Sequence, residues 1–417
     1  MKVNAHEQVF GATASFLYDT LGMLADWLDD LKCEQLRDYD GKPPLVVPNI
    51  LKSPPKTFAL WGDVTTKTPY DLFEAFGDRR VLEEQWESAT AWLDKAIKRA
   101  PSGLWDSDVQ QLGDWLDPQA PEDAPDDSPT DTILVADAVL VNTTRIAAKI
   151  AAILGRQADM ERFEKQTDDL IKAFRAEYIS PKGRVVSDTQ TAFALALKYG
   201  IIPAANIPAA ASRLDQLVRK RGFKIRTGFA GTPVILPALV ESGHINTAYR
   251  MFQEKECPSL LYPISLGATT IWERWNSMLP DGSINPGEMT SFNHYALGSV
   301  SLFLYSVVGG ITPIEPGWRR TRIHPRPGGT VTSAWVSHIS PYGRISCQWE
   351  LKEGDLLVDV EVPPNSSAVV VLPGRDEEEV GSGRRSFKVR WITDPSWPPK
   401  AIQPPKGRPQ LIDEVVL

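Results

Sequence analysis

The sequence has little cysteine and no concentration of positive charge. Its three cysteines, Cys33, Cys257 and Cys347, are far apart and form no CxxC or CxxH motif. A disulfide framework or a zinc site is therefore not expected, and the cysteine content fits a reducing compartment without requiring one. The net charge is −8, and basic residues are not clustered. Partners that demand Lys- and Arg-rich faces, such as nucleic acid or an anionic membrane, are not expected either.

Long apolar segments are also lacking. No apolar run is long enough to cross a bilayer. The first ten residues, MKVNAHEQVF, lack the apolar core of a secretory signal peptide. The chain as written is expected to be cytoplasmic, and secretion would need additional N-terminal residues. The segment GTPVILP contains a glycine but lacks the lysine and the spacing of a phosphate-binding loop.

Tryptophan and proline are abundant instead, with 13 and 34 residues among 417. That length predicts one large domain followed by a smaller one. Because indole rings pack well against the C–H faces of sugars, a tryptophan-rich and acidic chain suggests a carbohydrate-binding site.

Helical periodicity dominates from about residue 12 to residue 308. Stretches such as ATASFLYDTLGMLADWLDDL and PALVESGHINTAYRMFQ place apolar residues at helical intervals. Repeated amphipathic helix pairs favour a toroid of α-hairpins, with a simple helix bundle as the alternative. From about Arg322, alternating runs such as SCQWEL and LLVDVEV predict a β-sandwich, with EGD as a hairpin turn. We therefore predict a helical catalytic domain at residues 1–318 and a β-sandwich with a Pro-rich tail at residues 319–417.

Four predicted loops combine tryptophan or another aromatic residue with polar or acidic groups. They are ALWGDV with Trp61, GLWDSDVQQLGDWLDP with Trp115, TTIWERW with Glu273, and SFNHYALG with His294. Each one alone is typical of packing at the end of a helix. In an α-hairpin toroid, however, such loops converge at one end and line a single pocket.

Glu273 is the acidic residue best suited to a catalytic role. Glycoside hydrolysis needs two carboxyl groups on opposite sides of the scissile bond. Arg274 can keep a neighbouring carboxylate ionised, and Trp272 and Trp275 would exclude water. The alternative is a plain surface ion pair between Glu273 and Arg274. The role of His294 also has two interpretations, because a lone histidine at the start of a helix is often a cap or a core residue.

The acidic run from Asp117 to Asp131 has the composition of a solvated loop rather than a calcium site. No metal or other cofactor is expected from the sequence.

These motifs resemble the α-L-rhamnosidases of glycoside hydrolase family 78. The similarity runs from about Gln8 to Val371 and includes QVFGATASFLYDT, GDWLDP, GFAGTPVILPAL, GATTIWERWNSM and FNHYALG. The resemblance implies a six-hairpin α/α toroid followed by a C-terminal β-sandwich. It also implies an inverting, metal-independent hydrolase that removes terminal L-rhamnose from glycosides or polysaccharides.

The resemblance also implies roles for single residues. Glu273 matches the general base of the family's WERW motif, and His294 matches the histidine that contacts the sugar. Trp61 and Trp115 match tryptophans that wall the rhamnose pocket.

The start of the chain departs from the family's pattern. In the family, the segment before QVF is of the type RDERxGWxGD and carries the general acid. Here the preceding residues are MKVNAHE, with His6 at the position of the aspartate and Glu7 beside it. The expectation is an N-terminally truncated rhamnosidase that lacks its acid and its first helix. Such a chain would be inactive or impaired, or would serve as a non-catalytic carbohydrate-binding remnant.

Overall fold

The computed structural model describes residues 2–51 and 54–403, with the backbone alone for residues 2–6. The longer helices are α1 (Asn4–Leu17), α2 (Leu21–Cys33), α3 (Val64–Phe76), α4 (Arg80–Ala91), α5 (Thr132–Leu154), α6 (Gln157–Tyr178), α7 (Gln190–Lys198), α8 (Ile207–Lys220), α9 (Thr232–Glu241) and α10 (Ile245–Phe252). Two short ones follow, α11 (Leu261–Ser265) and α12 (Ser301–Phe303). Wider π-type turns at Glu34–Asp38, Trp92–Ala96 and Leu304–Val308 continue α2, α4 and α12. None of the described helices is long and apolar enough to cross a membrane.

The strands lie mainly after the helices. They are β1 (Lys2–Val3), β2 (Val46–Val47), β3 (Ile311–Pro313), β4 (Arg320–Ile323), β5 (Ser333–Ser340), β6 (Gly343–Lys352), β7 (Asp355–Val362), β8 (Ser367–Val370), β9 (Glu378–Val380) and β10 (Gly383–Arg390). One four-stranded sheet has the order β10-β7-β6-β5 and is antiparallel throughout. The other has the order β3-β4-β8-β9, in which β4 and β8 run parallel.

The chain forms two compact units. The first comprises residues 1–111, 139–173 and 298–395, and the second comprises residues 112–138, 174–297 and the segment from Ser396. In the first unit α3 packs against α1, α2 and α4, and this unit also contains both four-stranded sheets. In the second unit α7, α8, α9 and α10 pack against one another.

Helix α9 forms the apolar centre of the second unit. In its sequence, TPVILPALVE, six apolar residues are among the core residues, and of the ten only Glu241 at the end is exposed. Pro233 lies in the first turn of the helix, where its missing N–H has no cost. Helix α8 is amphipathic by contrast. Ala210, Leu214 and Val218, spaced four residues apart, are its buried stripe.

The antiparallel sheet follows the alternation seen in the sequence. Leu356, Val358 and Val360 of β7 are buried, while the residues between them are less so. The predicted turn at EGD is confirmed, because Glu353 and Gly354 both have positive φ and join β6 to β7. The indole Nε1 of Trp349 on β6 donates to the Val308 carbonyl at 2.7 Å, which anchors this sheet to the helical turn before it.

A mainly helical chain followed by two sheets confirms the predicted fold class, but two single helices of the prediction were wrong. The stretch from Ala12 to Leu31 is broken after Leu17, and Thr20 starts α2 by accepting the N–H of Leu24 at 2.9 Å. The stretch from Pro237 to Gln253 is broken at Gly243, whose φ of +89° ends α9. Strand β3 lies before residue 319, where the second domain was predicted to begin. The division into domains stays a prediction.

Candidate active site

Three of the four predicted site residues lie in the second unit. Trp115 lies in the unit's first loop, before α5, and Glu273 and His294 lie in the long segment between α11 and the turn at Ala296–Val300. Trp61 belongs to the first unit.

Two stretches of the long segment pair with each other through their backbones. The N–H of Glu273 donates to the Ser291 carbonyl at 2.9 Å, and the N–H of His294 donates to the Ile271 carbonyl at 2.8 Å. Thr270 adds a side-chain hydrogen bond to the Phe292 carbonyl. This pairing brings Glu273 and His294 together, although 21 positions separate them in the sequence.

The two oxygens of the Glu273 carboxylate have different surroundings. Oε2 accepts the backbone N–H of Ser291 at 3.1 Å. Oε1 faces His294 and lies 3.6 Å from its Nε2, a distance too long for a direct hydrogen bond. Burial lowers the pKa of His294, and the negative charge of Glu273 only partly opposes that effect. The imidazole is therefore neutral at neutral pH and faces an oriented carboxylate.

The neighbours of Glu273 in the WERW motif hold the loop. Trp272 packs edge-on against Phe292, with ring centroids 5.2 Å apart, and Trp275 is buried as well. Arg274 does not form the surface ion pair with Glu273 that sequence offered as an alternative. Its guanidinium is buried and donates to the Glu122 carbonyl at 2.9 Å. That bond ties the WERW loop to the acidic loop.

Asp114 joins three segments of the second unit. Its Oδ1 accepts the N–H groups of Ala230 and Gly231, each at 2.9 Å. Its Oδ2 accepts the N–H of Gly228 at 2.9 Å and the hydroxyl of Thr191. Burial raises the pKa of Asp114, and these four donors oppose the rise by stabilising the charged form. With no exposed surface, Asp114 is a structural carboxylate.

The loop of Trp115 and the loop before α9 approach each other closely. The N–H of Phe229 donates to the Trp115 carbonyl at 2.9 Å. A Cβ on Gly228 would lie 2.2 Å from the same carbonyl oxygen, so only glycine fits there. The ring of Phe229 also packs against the His294 ring, with centroids 5.4 Å apart. Phe229 thus links the Trp115 backbone to the His294 side chain.

The first turn of α7 holds three other segments of the second unit. Thr189 hydrogen-bonds the hydroxyl of Thr130 at 2.8 Å, and Thr191 donates to Asp114. Between them, the Gln190 amide accepts the N–H of Arg226 at 3.0 Å and donates to the Lys224 carbonyl at 3.2 Å.

A cavity of about 650 Å³ opens beside the WERW loop. It is lined by residues of the acidic loop, among them Asp117 and Glu122, and by Arg226, Arg274 and Trp275. The solvated loop predicted here is correct for Glu122 and Asp123 but wrong for Asp117, which is buried. Burial and the neighbouring charge of Asp114 raise the pKa of Asp117 to about 7. Among the described residues no group of three or more acidic, His or Cys side chains could hold a metal ion.

The first unit contains the remaining tryptophan–acid segment of the prediction. Trp61 is 7% exposed and packs edge-on against Phe58. Asp63 is buried, accepts the N–H of Leu60 at 2.8 Å and the indole N–H of Trp92 at 3.0 Å, and its pKa is raised by burial. These contacts give Asp63 a structural role in its loop.

Sequence reasoning missed the residues that build the site without a charged or indole side chain. They are Gly228, Phe229, Ser291 and Phe292. The two glycines three residues apart in GFAGTP were the available signal, because glycine permits close approach of backbones.

Two family models match the chain. The bacterial alpha-L-rhamnosidase six-hairpin glycosidase domain matches residues 4–308, and the bacterial alpha-L-rhamnosidase C-terminal domain matches residues 310–387. An alpha-L-rhamnosidase of Streptomyces avermitilis is 37% identical over 382 residues, which cover 91% of this chain and 35% of that protein. One from Formosa agariphila is 34% identical, with 91% of this chain and 40% of that protein covered.

Solved structures agree with these matches. The native rhamnosidase of Aspergillus terreus has a TM-score of 0.92 and 42% identity, covering 94% of this chain and 46% of that one. The Streptomyces avermitilis enzyme complexed with L-rhamnose has a TM-score of 0.85 and 35% identity, covering 93% and 38%. This chain therefore spans less than half the length of the relatives it matches.

Proposed function

The chain belongs to the bacterial α-L-rhamnosidase family, and we propose that it binds terminal α-L-rhamnose and supplies the general base for its hydrolysis. The observation that supports this most directly is the paired geometry of Glu273 and His294. Glu273 has one oxygen held by a backbone N–H and the other directed towards a neutral imidazole.

The proposed reaction is an inverting hydrolysis. Glu273 removes a proton from a water molecule as the water oxygen attacks the anomeric carbon. The bond from that carbon to the leaving oxygen breaks at the same time, and the leaving oxygen takes its proton from solvent water, because no residue of this chain is assigned as the general acid. The products are L-rhamnose and the free aglycone. The hydrogen bond from Ser291 orients the carboxylate, so that no rotation is needed before it accepts the proton.

The other predicted residues fit binding roles in this proposal. His294, neutral and close to Glu273, is suited to exchange a hydrogen bond with a sugar hydroxyl. Trp115 is partly exposed and offers an aromatic wall, since indole faces pack on sugar C–H groups. Trp61 is proposed as a second wall on the strength of the family motif.

A second function, rhamnose binding without turnover, is favoured by the state of Glu7. Glu7 is the carboxyl group beside the position of the family's aspartate, and it is only 3% exposed on α1. A buried side chain is suited to a structural role. Weak or absent hydrolysis by residues 1–417 therefore stays a prediction.

One pair of measurements separates the two functions. Purified protein is titrated with L-rhamnose by calorimetry and is incubated with an aryl α-L-rhamnoside. Binding with release of the aryl group supports hydrolysis, and binding without release supports the second function. If rhamnose does not bind at all, both are wrong.

A further inference from the structure

We propose that Arg274 is a positioning residue, through which the acidic loop sets the distance between Glu273 and the sugar-binding wall at Trp115. The inference deepens the proposed function and rests on it for the roles of Glu273 and Trp115. The acidic loop follows Trp115 and Leu116 in the chain, and Arg274 directly follows Glu273. A contact between the loop and Arg274 therefore joins the two parts of the site.

The acidic loop is closed at its base and contains tight turns. The N–H of Leu116 donates to the Pro125 carbonyl at 3.0 Å. Within the closed segment, the N–H of Ala124 donates to the Pro121 carbonyl at 3.2 Å and completes a turn that contains Glu122. Because proline fixes its own φ, such a turn has little backbone freedom. The Glu122 carbonyl thus has a fixed position relative to the base of the loop.

Arg274 reaches this turn with its side chain. Its Nη2 donates to the Glu122 carbonyl at 2.9 Å, and Arg274 is only 8% exposed. A second contact lies beside the first, since a Cβ on Gly287 would be 3.3 Å from the Cβ of Glu122. The segment that follows the WERW loop therefore packs against the same turn of the acidic loop.

The backbone of Arg274 transmits this contact to Glu273. Its N–H donates to Oγ of Ser277 at 3.2 Å, and its carbonyl accepts the Ser277 hydroxyl at 3.1 Å. Ser277 has no exposed surface. On the other side of Arg274, Glu273 pairs with Ser291 through both its backbone and its carboxylate. A displacement of Arg274 would therefore move the Glu273 carboxylate relative to Ser291.

Stability alone is a poor explanation for a buried arginine at this position. Among the residues that the structure describes, no acceptor lies within hydrogen-bond distance of its Nε. A buried donor without an acceptor destabilises the folded state.

The charge of Arg274 adds a second unfavourable effect. Burial lowers the pKa of Arg274, and the negative charges of Glu122, Glu273 and Glu288 oppose that effect. An apolar side chain of similar volume would avoid the buried charge and the buried donor together. What an apolar side chain would not provide is the bond that fixes Glu273 at a set distance from the acidic loop.

The first measurement is amide hydrogen exchange of the full chain, followed in the peptides that cover residues 270–294. The variant R274A should exchange faster at the N–H groups of Glu273 and Ser291, because the pairing of these residues loses its long-range tie. The rise should be about tenfold, since a hydrogen bond to a charged group contributes at least about that factor.

The second measurement is the affinity for L-rhamnose. His294 lies on the same paired stretch as Ser291, so its contact with the sugar should weaken when the pairing loosens. Affinity should fall about fivefold in R274A, the contribution of one ordinary hydrogen bond. R274K keeps a cationic donor and should lie between the wild type and R274A in both measurements. It gives the same comparison if R274A does not fold.

A chemical rescue separates positioning from a general loss of stability. Arg274 lines the cavity of about 650 Å³, so a small cation can reach its position from solvent. Methylguanidinium chloride should restore part of the slow exchange and of the affinity in R274A. Sodium chloride at the same ionic strength should restore neither, because it supplies no planar donor for the Glu122 carbonyl.

The matched control is R175A. Arg175 also donates to a distant carbonyl of the second unit, that of Ile201 at 2.6 Å. Thermal melts followed by circular dichroism report the loss of stability in both alanine variants. Exchange in residues 270–294 and affinity for L-rhamnose should equal those of the wild type in R175A.

The outcomes separate this inference from the function on which it rests. Unchanged exchange in R274A overturns the inference, whether or not rhamnose binds. An equal rise in R175A, or an equal rescue by sodium chloride, overturns it as well. Faster exchange that methylguanidinium alone reverses supports the positioning contact even if L-rhamnose does not bind to the wild type, a result that would count against the proposed function only.

Discussion

Oε1 of Glu273 lies 3.6 Å from Nε2 of His294, while Oε2 of the same carboxylate accepts the N–H of Ser291. Each oxygen thus has one defined neighbour, and the gap on the His294 side is wider than a hydrogen bond. A water molecule or a sugar hydroxyl can contact both groups there. The arrangement depends on the backbone pairing of residues 271–273 with residues 291–294.

Where the wild type hydrolyses an aryl α-L-rhamnoside at a measurable rate, replacing Glu273 by Gln should lower that rate by about 10²–10⁴-fold, the usual contribution of a general base. The amide keeps the shape of the side chain but cannot accept a proton from water. Affinity for L-rhamnose should change only a few-fold. Initial rates and a calorimetric titration measure the two effects.

The matched control for this variant is E241Q, which neutralises an exposed glutamate on α9 that pairs with Lys198. Its rate should equal that of the wild type. Full activity in E273Q would remove Glu273 from the mechanism.

Rhamnose affinity should depend on pH through His294. Burial lowers its pKa below the ordinary value of 6.5, so the ring stays neutral as pH falls from 8 to about 6.5. Affinity should be constant over that range and should change only at lower pH. There the imidazolium attracts the Glu273 carboxylate away from Ser291. Titrations across this pH range, with circular dichroism to show that the protein stays folded, measure the effect.

The variant H294Q should lack the part of that acid-side change that comes from the imidazole, because it has no imidazole at that position. An affinity change centred near pH 6.5 in the wild type and absent in H294Q would show that His294 titrates at its ordinary pKa. The environment deduced for the ring would then be wrong.

Gly228→Ala should destabilise the second unit. The added methyl would lie 2.2 Å from the Trp115 carbonyl oxygen and 2.5 Å from that of Asp114. Forcing an extra carbon into a packed site costs about 1–3 kcal/mol, and rhamnose affinity should fall as the Trp115 loop shifts. Urea unfolding and a rhamnose titration report on the two effects.

Gly22 supplies the opposite case for comparison. It lies in α2, and nothing is within 4 Å of a Cβ added there. Gly22→Ala should therefore stabilise the protein by up to about 1 kcal/mol, the usual helix preference for alanine. If both variants were equally stable, the close approach at Gly228 would not be real.

Asp117 should make stability fall as pH rises. Its pKa is about 7 in the folded protein, well above the ordinary value of 3.8. A raised pKa means that the folded state binds more protons between these two values. This contribution is fully present below the unfolded pKa and is lost as pH rises through about 7.

In D117N the side chain is neutral at every pH. Thermal melts from about pH 5 to about pH 9 should show the wild type losing stability relative to D117N. The difference should reach about 1–3 kcal/mol, since each pKa unit corresponds to about 1.4 kcal/mol. Parallel curves for the two proteins would mean that Asp117 is ionised at little cost.

The sequence predicted the features that depend on residues close together in the chain. The strands β6 and β7 and the turn between them follow from alternation and from EGD. Glu273 and His294 were selected by the family motifs, and their proximity in the structure is consistent with that selection. Their catalytic and binding roles remain proposals.

Other features depend on partners that no local pattern reveals. Arg274 was matched to its neighbour Glu273, but its guanidinium binds a backbone carbonyl 152 residues away. Asp114 resembled the other acids of its loop, and only the folded structure brings it four donors from distant segments. Asp117 resembled a solvated acid because burial is decided by the packing of the whole loop.

The first turn of α7 has a consequence for measuring affinities. Gln190 binds the backbone of Lys224 and Arg226 through its side-chain amide, and the adjacent Thr191 binds the carboxylate that holds the loops of Trp115 and Phe229. The spacing between the two regions is therefore set within a single helical turn. Substitutions in one region should alter binding in the other, and double-mutant cycles between Lys224 and Trp115 should be non-additive.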